Sequence, residues 1–181
     1  MNTHYTTTAK GLHWLMALLI FGLLALGFYM SDLPLSPEKL QFYSWHKWAG
    51  VTVFLLVWLR LLWRVTHRPP AYPPSMSGMQ QALAHTGHLV LYVLMIVIPL
   101  SGWLMSSAKG VQTVWFGVLP LPDLLGRDKE LGKQLAELHS ALNISFLVLI
   151  GGHAAAALFH HVFHKDDILR RMLPARANPK I

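Results

Sequence analysis

The sequence predicts an all-α protein, a transmembrane four-helix bundle with both termini in the cytoplasm. Hydrophobic residues make up 54% of the 181 residues and charged residues only 13%, whereas a soluble domain has about 25% charged residues. Long stretches without Asp, Glu, Lys or Arg alternate with short charged segments. Because this length suits one domain, we expect residues 1–181 to form a single integral-membrane unit.

The uncharged stretches locate the four spans, since about 20 apolar residues cross a bilayer. The first runs from Gly11 to Ser31 and is expected to stay in the mature protein. The third and fourth lie within Pro69–Ala108 and Leu138–His164. The second is weaker, because it contains Arg60, but Arg60 and Arg64 lie near its end, where both can reach the head groups. The predicted spans are about 11–31, 46–65, 80–106 and 138–164.

The distribution of charge predicts the orientation of the bundle. Four spans place both termini and the 60–80 connection on one side, which carries nine basic residues against six on the other. The nine are Lys10, Arg60, Arg64, Arg68, Lys165, Arg170, Arg171, Arg176 and Lys180. The positive-inside rule puts this side in the cytoplasm. The net charge of +7 therefore indicates orientation and contact with an anionic leaflet, and no nucleic-acid partner is expected.

Histidine is the residue type that a cofactor site in this chain has to use. The sequence contains no Cys, which excludes disulfides, thiolate metal sites, iron–sulfur clusters and covalently attached c-type haem. It contains 11 His, more than the 8 Asp and Glu together. Because polar side chains are costly inside a membrane, an intramembrane His is a candidate for function.

The fourth span presents two His residues on one face. His139 and His153 are 14 residues apart, which is about 21 Å along a helix and about 40° around it. His46 begins the second span on the outer side, at the depth of His139. His13 begins the first span on the inner side, at the depth of His153. Two such imidazole pairs, His46 with His139 and His13 with His153, are the ligands that two b-type haems need. Three small residues nearby admit a flat macrocycle or serve helix packing, namely Gly50, Gly151 and Gly152.

Three other His residues allow two interpretations each. His85 and His88 lie three residues apart on the third span, a spacing that suits a metal chelate or, as we favour, an interfacial hydrogen-bond network. His160 follows His153 by seven residues on nearly the same face, about 10 Å further inward. It either donates a hydrogen bond to a quinone head group or belongs to a polar cap formed with neighbouring His residues.

Short motifs follow one another in a specific order along nearly the whole chain. They are Gly11-Leu-His-Trp14; His46 with Gly50 and Arg60-Leu-Leu-Trp-Arg64; Leu83-Ala-His-Thr-Gly-His88; Leu138-His-Ser140; and Gly152-His-Ala-Ala-Ala-Ala-Leu-Phe-His-His161, followed by Lys165-Asp166 and Arg171-Met-Leu-Pro174. Together they resemble the bacterial cytochrome b561 family, which is related to the cytochrome b subunits of nickel–iron hydrogenase and formate dehydrogenase.

The resemblance implies a cytochrome with two haem b groups, spanning the bacterial inner membrane. The family's haem ligands fall on four His residues of this chain, the inner pair His13 and His153 and the outer pair His46 and His139. Similarity to a superoxide oxidase implies an oxidoreductase that passes electrons from periplasmic superoxide to ubiquinone, with His160 at the quinone. Lys47 and Lys133 are candidates for attracting superoxide.

Two other functions fit parts of the same pattern. A haem-bearing membrane-anchor subunit would pass electrons between a hydrogenase or dehydrogenase partner and quinone, and the lack of an extramembrane domain in the sequence permits such a partner. A proton or metal transporter would use the column of His residues. Three uncharged stretches contain no carboxylate, which argues against the transporter, namely Gly11–Ser31, Gln80–Ser106 and Leu138–His164.

Overall fold

The computed structural model describes residues 4–173, and Pro174, Arg176 and Lys180 lie outside this range. The long helices are α1 (Thr7–Asp32), α2 (Pro37–Thr66), α3 (Gly78–Ala108) and α4 (Lys129–Phe159), and a π-helical turn (His160–His164) continues α4. Strands β1 (Val114–Trp115) and β2 (Leu119–Pro120) pair antiparallel, and a short helix α5 covers Ile168–Met172. The four long helices are long and apolar enough to cross a membrane, which confirms the predicted transmembrane bundle.

Side-chain caps set where the long helices begin. The hydroxyls of Thr6 and Ser36 and the carboxylate of Asp128 accept backbone N–H bonds at the starts of α1, α2 and α4. Ser77 and Gln80 form a reciprocal capping box at the start of α3. Helices α2 and α4 begin nine residues before the spans predicted to start at 46 and 138. The prediction started too late because it followed uncharged stretches, whereas the first turns of both helices carry charged residues.

Helices that follow one another in sequence pack against one another, and all four contribute to the core. The buried core residues are Met16, Ile20, Leu24, Val53, Val57, Leu94, Ile98 and Phe146. Many other large apolar side chains are exposed, among them Leu18, Val65 and Val148. This outward apolar surface suits a protein whose surrounding solvent is lipid.

The start of α1, the α2–α3 connection and α5 lie at the same end of the bundle, which we call the terminal end. Lys10 Nζ donates to the carbonyl of Leu173 at 2.9 Å, and Trp14 Nε1 donates to that of Met172 at 2.9 Å. Arg171 donates to the carbonyl of Ala71 at 2.5 Å. These contacts agree with the predicted common side for both ends of the described chain.

The opposite end, which we call the hairpin end, is covered by the ordered connection between α3 and α4. Trp48 of α2 donates its indole N–H to the carbonyl of Val114 at 2.6 Å, and Trp115 donates back to the carbonyl of Trp48 at 3.2 Å. Phe116 and Gly117 both have positive φ, 50° and 72°, as in a type I′ turn. The hairpin is therefore fastened to α2 close to His46.

Candidate metal centre

Helices α1, α2 and α4 bring four His residues together as two pairs. The ring centroids of His13 and His153 are 6.3 Å apart, and those of His46 and His139 are 6.4 Å apart. The inner pair lies toward the terminal end and the outer pair toward the hairpin end. These pairings are the ones that sequence depth predicts.

The separation within each pair suits one metal ion between two imidazoles. A metal–nitrogen bond of about 2.0–2.1 Å on each side, plus about 1.1 Å from each nitrogen to its ring centroid, gives a centroid separation of about 6.3 Å. Residues 4–173 contain no group of three or more His, Asp or Glu side chains arranged to hold a metal ion. A metal at either pair therefore needs further ligands from another molecule, and the porphyrin of haem b supplies them. The two pairs fit haem.

The small residues beside the pairs leave room for a flat ring. A Cβ atom at Gly50, Gly151 or Gly152 would meet no other atom within 4 Å. These glycines are thus not required for close contacts between helices. Of the two roles that the sequence allows, making room for a flat macrocycle is therefore better supported than helix packing.

Glycines of neighbouring helices lie directly against the outer pair. A Cβ atom at Gly27 would lie 3.2 Å from Cε1 of His46, and one at Gly102 would lie 3.2 Å from Cε1 of His139. Such contacts are tighter than nine in ten real Cβ contacts, so a methyl group at either position would require the imidazole to shift by a few tenths of an ångström.

Ser101 determines which nitrogen of His139 carries the proton. The hydroxyl of this buried Ser donates its single hydrogen to the carbonyl of Ile98 at 2.7 Å. Its oxygen lies 2.9 Å from Nδ1 of His139, and it can only accept there. Nδ1 is therefore protonated, and the lone pair of Nε2 is available for a metal.

The inner pair has a different hydrogen-bond environment. Arg60 of α2 donates from Nε to the hydroxyl of Tyr92 at 2.9 Å, and its Nη2 lies 3.2 Å from Nδ1 of His13. The expectation that Arg60 extends to the head groups is therefore wrong, because the two acceptors hold its guanidinium inside the bundle. Arg64 lies over the same ring, with Cζ 5.9 Å from the centroid of Tyr92.

His88 is a third imidazole at the inner pair, which sequence reasoning missed. Its ring centroid lies 5.3 Å from that of His153, too close for one metal to lie between the two rings on opposite sides. His85 is exposed, and within residues 4–173 no hydrogen bond joins it to His88. The two rings therefore share no direct hydrogen bond, although positions three residues apart lie only about 60° apart around α3. The interfacial network that the sequence favours for this pair stays a prediction.

His160 forms a close pair with Asp166 at the terminal end. Its Nδ1 lies 2.6 Å from Oδ2 of Asp166, and both side chains are largely buried. Lys165 has a left-handed backbone, with φ at 52°, which turns the chain back toward α4. The ring of His160 also stacks on that of His164 with centroids 4.9 Å apart. Sequence reasoning gave Asp166 no role; its place six residues after His160, past a helix end, was the available signal.

Basic residues at the hairpin end have no direct carboxylate partner in the described part of the chain. Lys47 is half-buried, and its Nζ donates to the carbonyl of Val111 at 3.1 Å. Lys133 is exposed. Among residues 4–173, the ion pairs within 4 Å are His160–Asp166 and Arg171–Asp167, both at the other end.

Comparison with known proteins gives concordant matches. The sequence profile of the family described as prokaryotic cytochrome b561 matches residues 4–175. Cytochrome b561 homolog 2 of Escherichia coli strain K12 is 36% identical over 93% of this chain and 90% of its own length. A Yersinia pestis protein named probable superoxide oxidase CybB is 32% identical over 97% and 99% of the two chains. Cytochrome b561 homolog 1 of the same E. coli strain is 34% identical over 72% and 74%.

Proposed function

We propose that this chain, which belongs to the prokaryotic cytochrome b561 family, carries electrons from superoxide to ubiquinone through two b haems. The family makes it a multi-pass membrane protein of electron transfer that binds haem b. The observation that carries the proposal is the presence of two imidazole pairs, with ring centroids 6.3 and 6.4 Å apart. One imidazole of each pair lies on α4, in opposite halves of that helix, and the other lies on α1 or α2.

His13 and His153 would hold the inner haem, and His46 and His139 the outer haem. Haem b held by two imidazoles would supply reversible one-electron storage. The protein orients the imidazoles and surrounds them with apolar helices. We place the terminal end in the cytoplasm and the protein in the bacterial inner membrane, because the basic residues are more numerous at that end.

Superoxide is the proposed donor at the hairpin end. The similar Yersinia protein is named for superoxide oxidation, and no carboxylate of the described residues lies within 4 Å of the Lys47 ammonium. Two superoxide ions each lose one electron and leave as two molecules of oxygen. One ubiquinone takes up the two electrons and two protons and becomes ubiquinol. Basic residues without a carboxylate in direct contact would raise the local concentration of the anion at this end.

Ubiquinone is the proposed acceptor at the terminal end, beside His160. The carboxylate of Asp166 fixes the proton on Nδ1 of His160 and leaves Nε2 to face the quinone. A carboxylate–imidazole pair can relay protons to a quinone that gains electrons.

The test uses the purified protein with a superoxide-generating system and a soluble ubiquinone. We expect the haem absorption bands to show reduction and ubiquinol to form, both abolished by superoxide dismutase. Quinone reduction that is independent of superoxide, or absent, would contradict the proposed donor. If the protein instead co-purifies with a large redox subunit and passes electrons only in that complex, it is a membrane-anchor subunit.

Substitution of Gly102 by Ala is expected to disturb the outer haem selectively. The new methyl group would lie 3.2 Å from the ring of His139 and push it from its position. We expect the affinity for the outer haem to fall by about one order of magnitude, as overpacking commonly costs 1–3 kcal/mol. Haem content and a two-step redox titration measure this. Gly22→Ala is the matched control, because its methyl group meets no atom within 4 Å; equal loss in both variants would refute the assignment.

Substitution of Ser101 by Ala is expected to raise the reduction potential of the outer haem. The hydroxyl that accepts from Nδ1 of His139 makes the imidazole a stronger donor, which favours oxidised iron. We also expect haem affinity to fall by about 10-fold or more, as for other partners of metal-bound imidazoles. Ser106→Ala, a buried Ser on the same helix, is the control. An unchanged potential in Ser101→Ala would show that Ser101 does not set the ligand.

A further inference from the structure

Two arginines and a tyrosine form a cationic cluster beside the inner pair. Arg60 and Arg64 lie one turn apart on α2, and the Cζ atom of each is 5.9 Å from the ring centroid of Tyr92 on α3. Tyr5 lines the same small cavity. Burial raises the pKa of Tyr5 above its ordinary value, so its phenol stays protonated and can donate a hydrogen bond.

This cluster has no anionic partner in residues 4–173, where neither arginine lies within 4 Å of a carboxylate. Arg60 lies six residues before the end of α2, which is about 9 Å along the helix. Both side chains are partly buried. An unpaired charge within the membrane-spanning part of a bundle is costly. The cluster therefore calls for an oxyanion from another molecule.

The hydrogen bond between Arg60 and His13 conflicts with metal binding by His13. A guanidinium only donates, so Nδ1 of His13 accepts the bond and a neutral ring must carry its proton on Nε2. If Nε2 bound the metal, the proton of the neutral ring would have to sit on Nδ1. The N–H at Nδ1 would then point at the N–H of Arg60, and two donors cannot form a hydrogen bond. A metal on Nδ1 would occupy the position of the guanidinium. Arg60 therefore has to leave His13, whichever nitrogen of His13 binds the metal. The outer pair needs no such rearrangement, because the Ser101 hydroxyl already accepts a hydrogen bond from Nδ1 of His139.

We propose that Arg60, supported by Arg64, binds a carboxylate side chain of the inner haem when that haem is bound. The inference rests on the proposed function, which places a haem at His13 and His153. Haem carboxylates and lipid phosphates both offer an oxyanion. The haem carboxylate is favoured because it arrives with the event that displaces Arg60 from His13, and a guanidinium binds a carboxylate through two parallel hydrogen bonds.

The experiment compares the purified holoprotein with its Arg60→Gln, Arg60→Lys and Arg68→Gln variants. Arg68 is an exposed arginine just beyond α2 and serves as the control. Three measurements are made: haem per chain, the midpoint potentials of both haems, and the haem carboxylate bending bands in the resonance Raman spectrum. Phosphorus analysis measures the bound phospholipid.

We expect Arg60→Gln to shift one carboxylate bending band and to lower the inner potential, because a positive charge that favours the reduced haem is lost. A tenfold change in the reduction equilibrium would appear as 59 mV. Arg60→Lys should retain most of the potential but still shift the band, since an ammonium does not reproduce the paired geometry. If the Arg60→Gln protein does not retain the inner haem, the carboxylate band and the inner potential of Arg60→Lys are compared with those of the wild type instead. Arg68→Gln should change nothing.

Carboxylate bands that are identical in the wild type and in both Arg60 variants would overturn the proposal. Loss of bound phospholipid with unchanged bands would also overturn it and assign the cluster to a lipid phosphate. A wild-type protein that lacks a haem at the inner pair would instead refute the proposed function, so the two failures are distinguishable.

Discussion

Replacement of His153 by Ala is expected to lower the haem content from two per chain to one and to stop electron transfer to quinone. The ring centroid of His153 lies 6.3 Å from that of His13, so its loss removes one of the two imidazoles whose separation suits a metal between them. A haem b that lost one of its two imidazoles would be held far less firmly, and no carrier would then remain between the outer pair and the terminal end. Pyridine haemochrome analysis per mole of protein measures the change.

The variants His139→Ala and His85→Ala complete this test. His139→Ala should also leave one haem, but with the spectrum and potential of the inner site. His85 is an exposed His at the terminal end, and its replacement should leave both haems. His153→Gly with imidazole added to the buffer should recover part of the inner haem, which separates a ligand role from a folding role. Two haems in His153→Ala would refute the ligand assignment.

The sequence predicted the parts of this architecture that follow from helix geometry. The spans follow from the uncharged stretches, and the pairs follow from depth, because residues 14 apart on α4 return to one face of the helix. The ends of helices were predicted less well. The first turns of α2 and α4 are charged, so their starts depend on the caps at Ser36 and Asp128 and not on hydropathy.

Contacts between side chains of different helices could not be predicted in this way. A Ser on α3 is an unremarkable residue until packing puts its oxygen 2.9 Å from His139. Arg60 near a helix end suits the head groups by sequence, but the acceptors on Tyr92 and His13 belong to two other helices. Distances of this kind depend on how neighbouring helices rotate against each other, which hydropathy patterns do not specify.

Replacement of His160 by Phe is expected to slow quinone reduction by about 100-fold while the haems remain reducible. The imidazole is the group that would pass protons toward the quinone, and positioned proton transfer contributes about 10²–10⁴-fold to rates. Phe keeps the ring volume next to His164 but has no nitrogen to pair with Asp166. Stopped-flow spectroscopy would follow haem reduction and ubiquinol formation separately.

Asp166→Asn is the variant that separates proton relay from shape. The amide retains the size of the side chain and can still hydrogen-bond to His160 and to the backbone N–H of Ile168. It carries no negative charge to support proton transfer through His160, so ubiquinol formation should slow while the shape of the site is kept. If His160→Phe and Asp166→Asn both reduce quinone at the wild-type rate, the quinone binds elsewhere, and His160 has the capping role beside His164 that the sequence also allowed. A slower rate with unchanged haem content and unchanged haem reduction would support the relay, because a general loss of structure would lower all three.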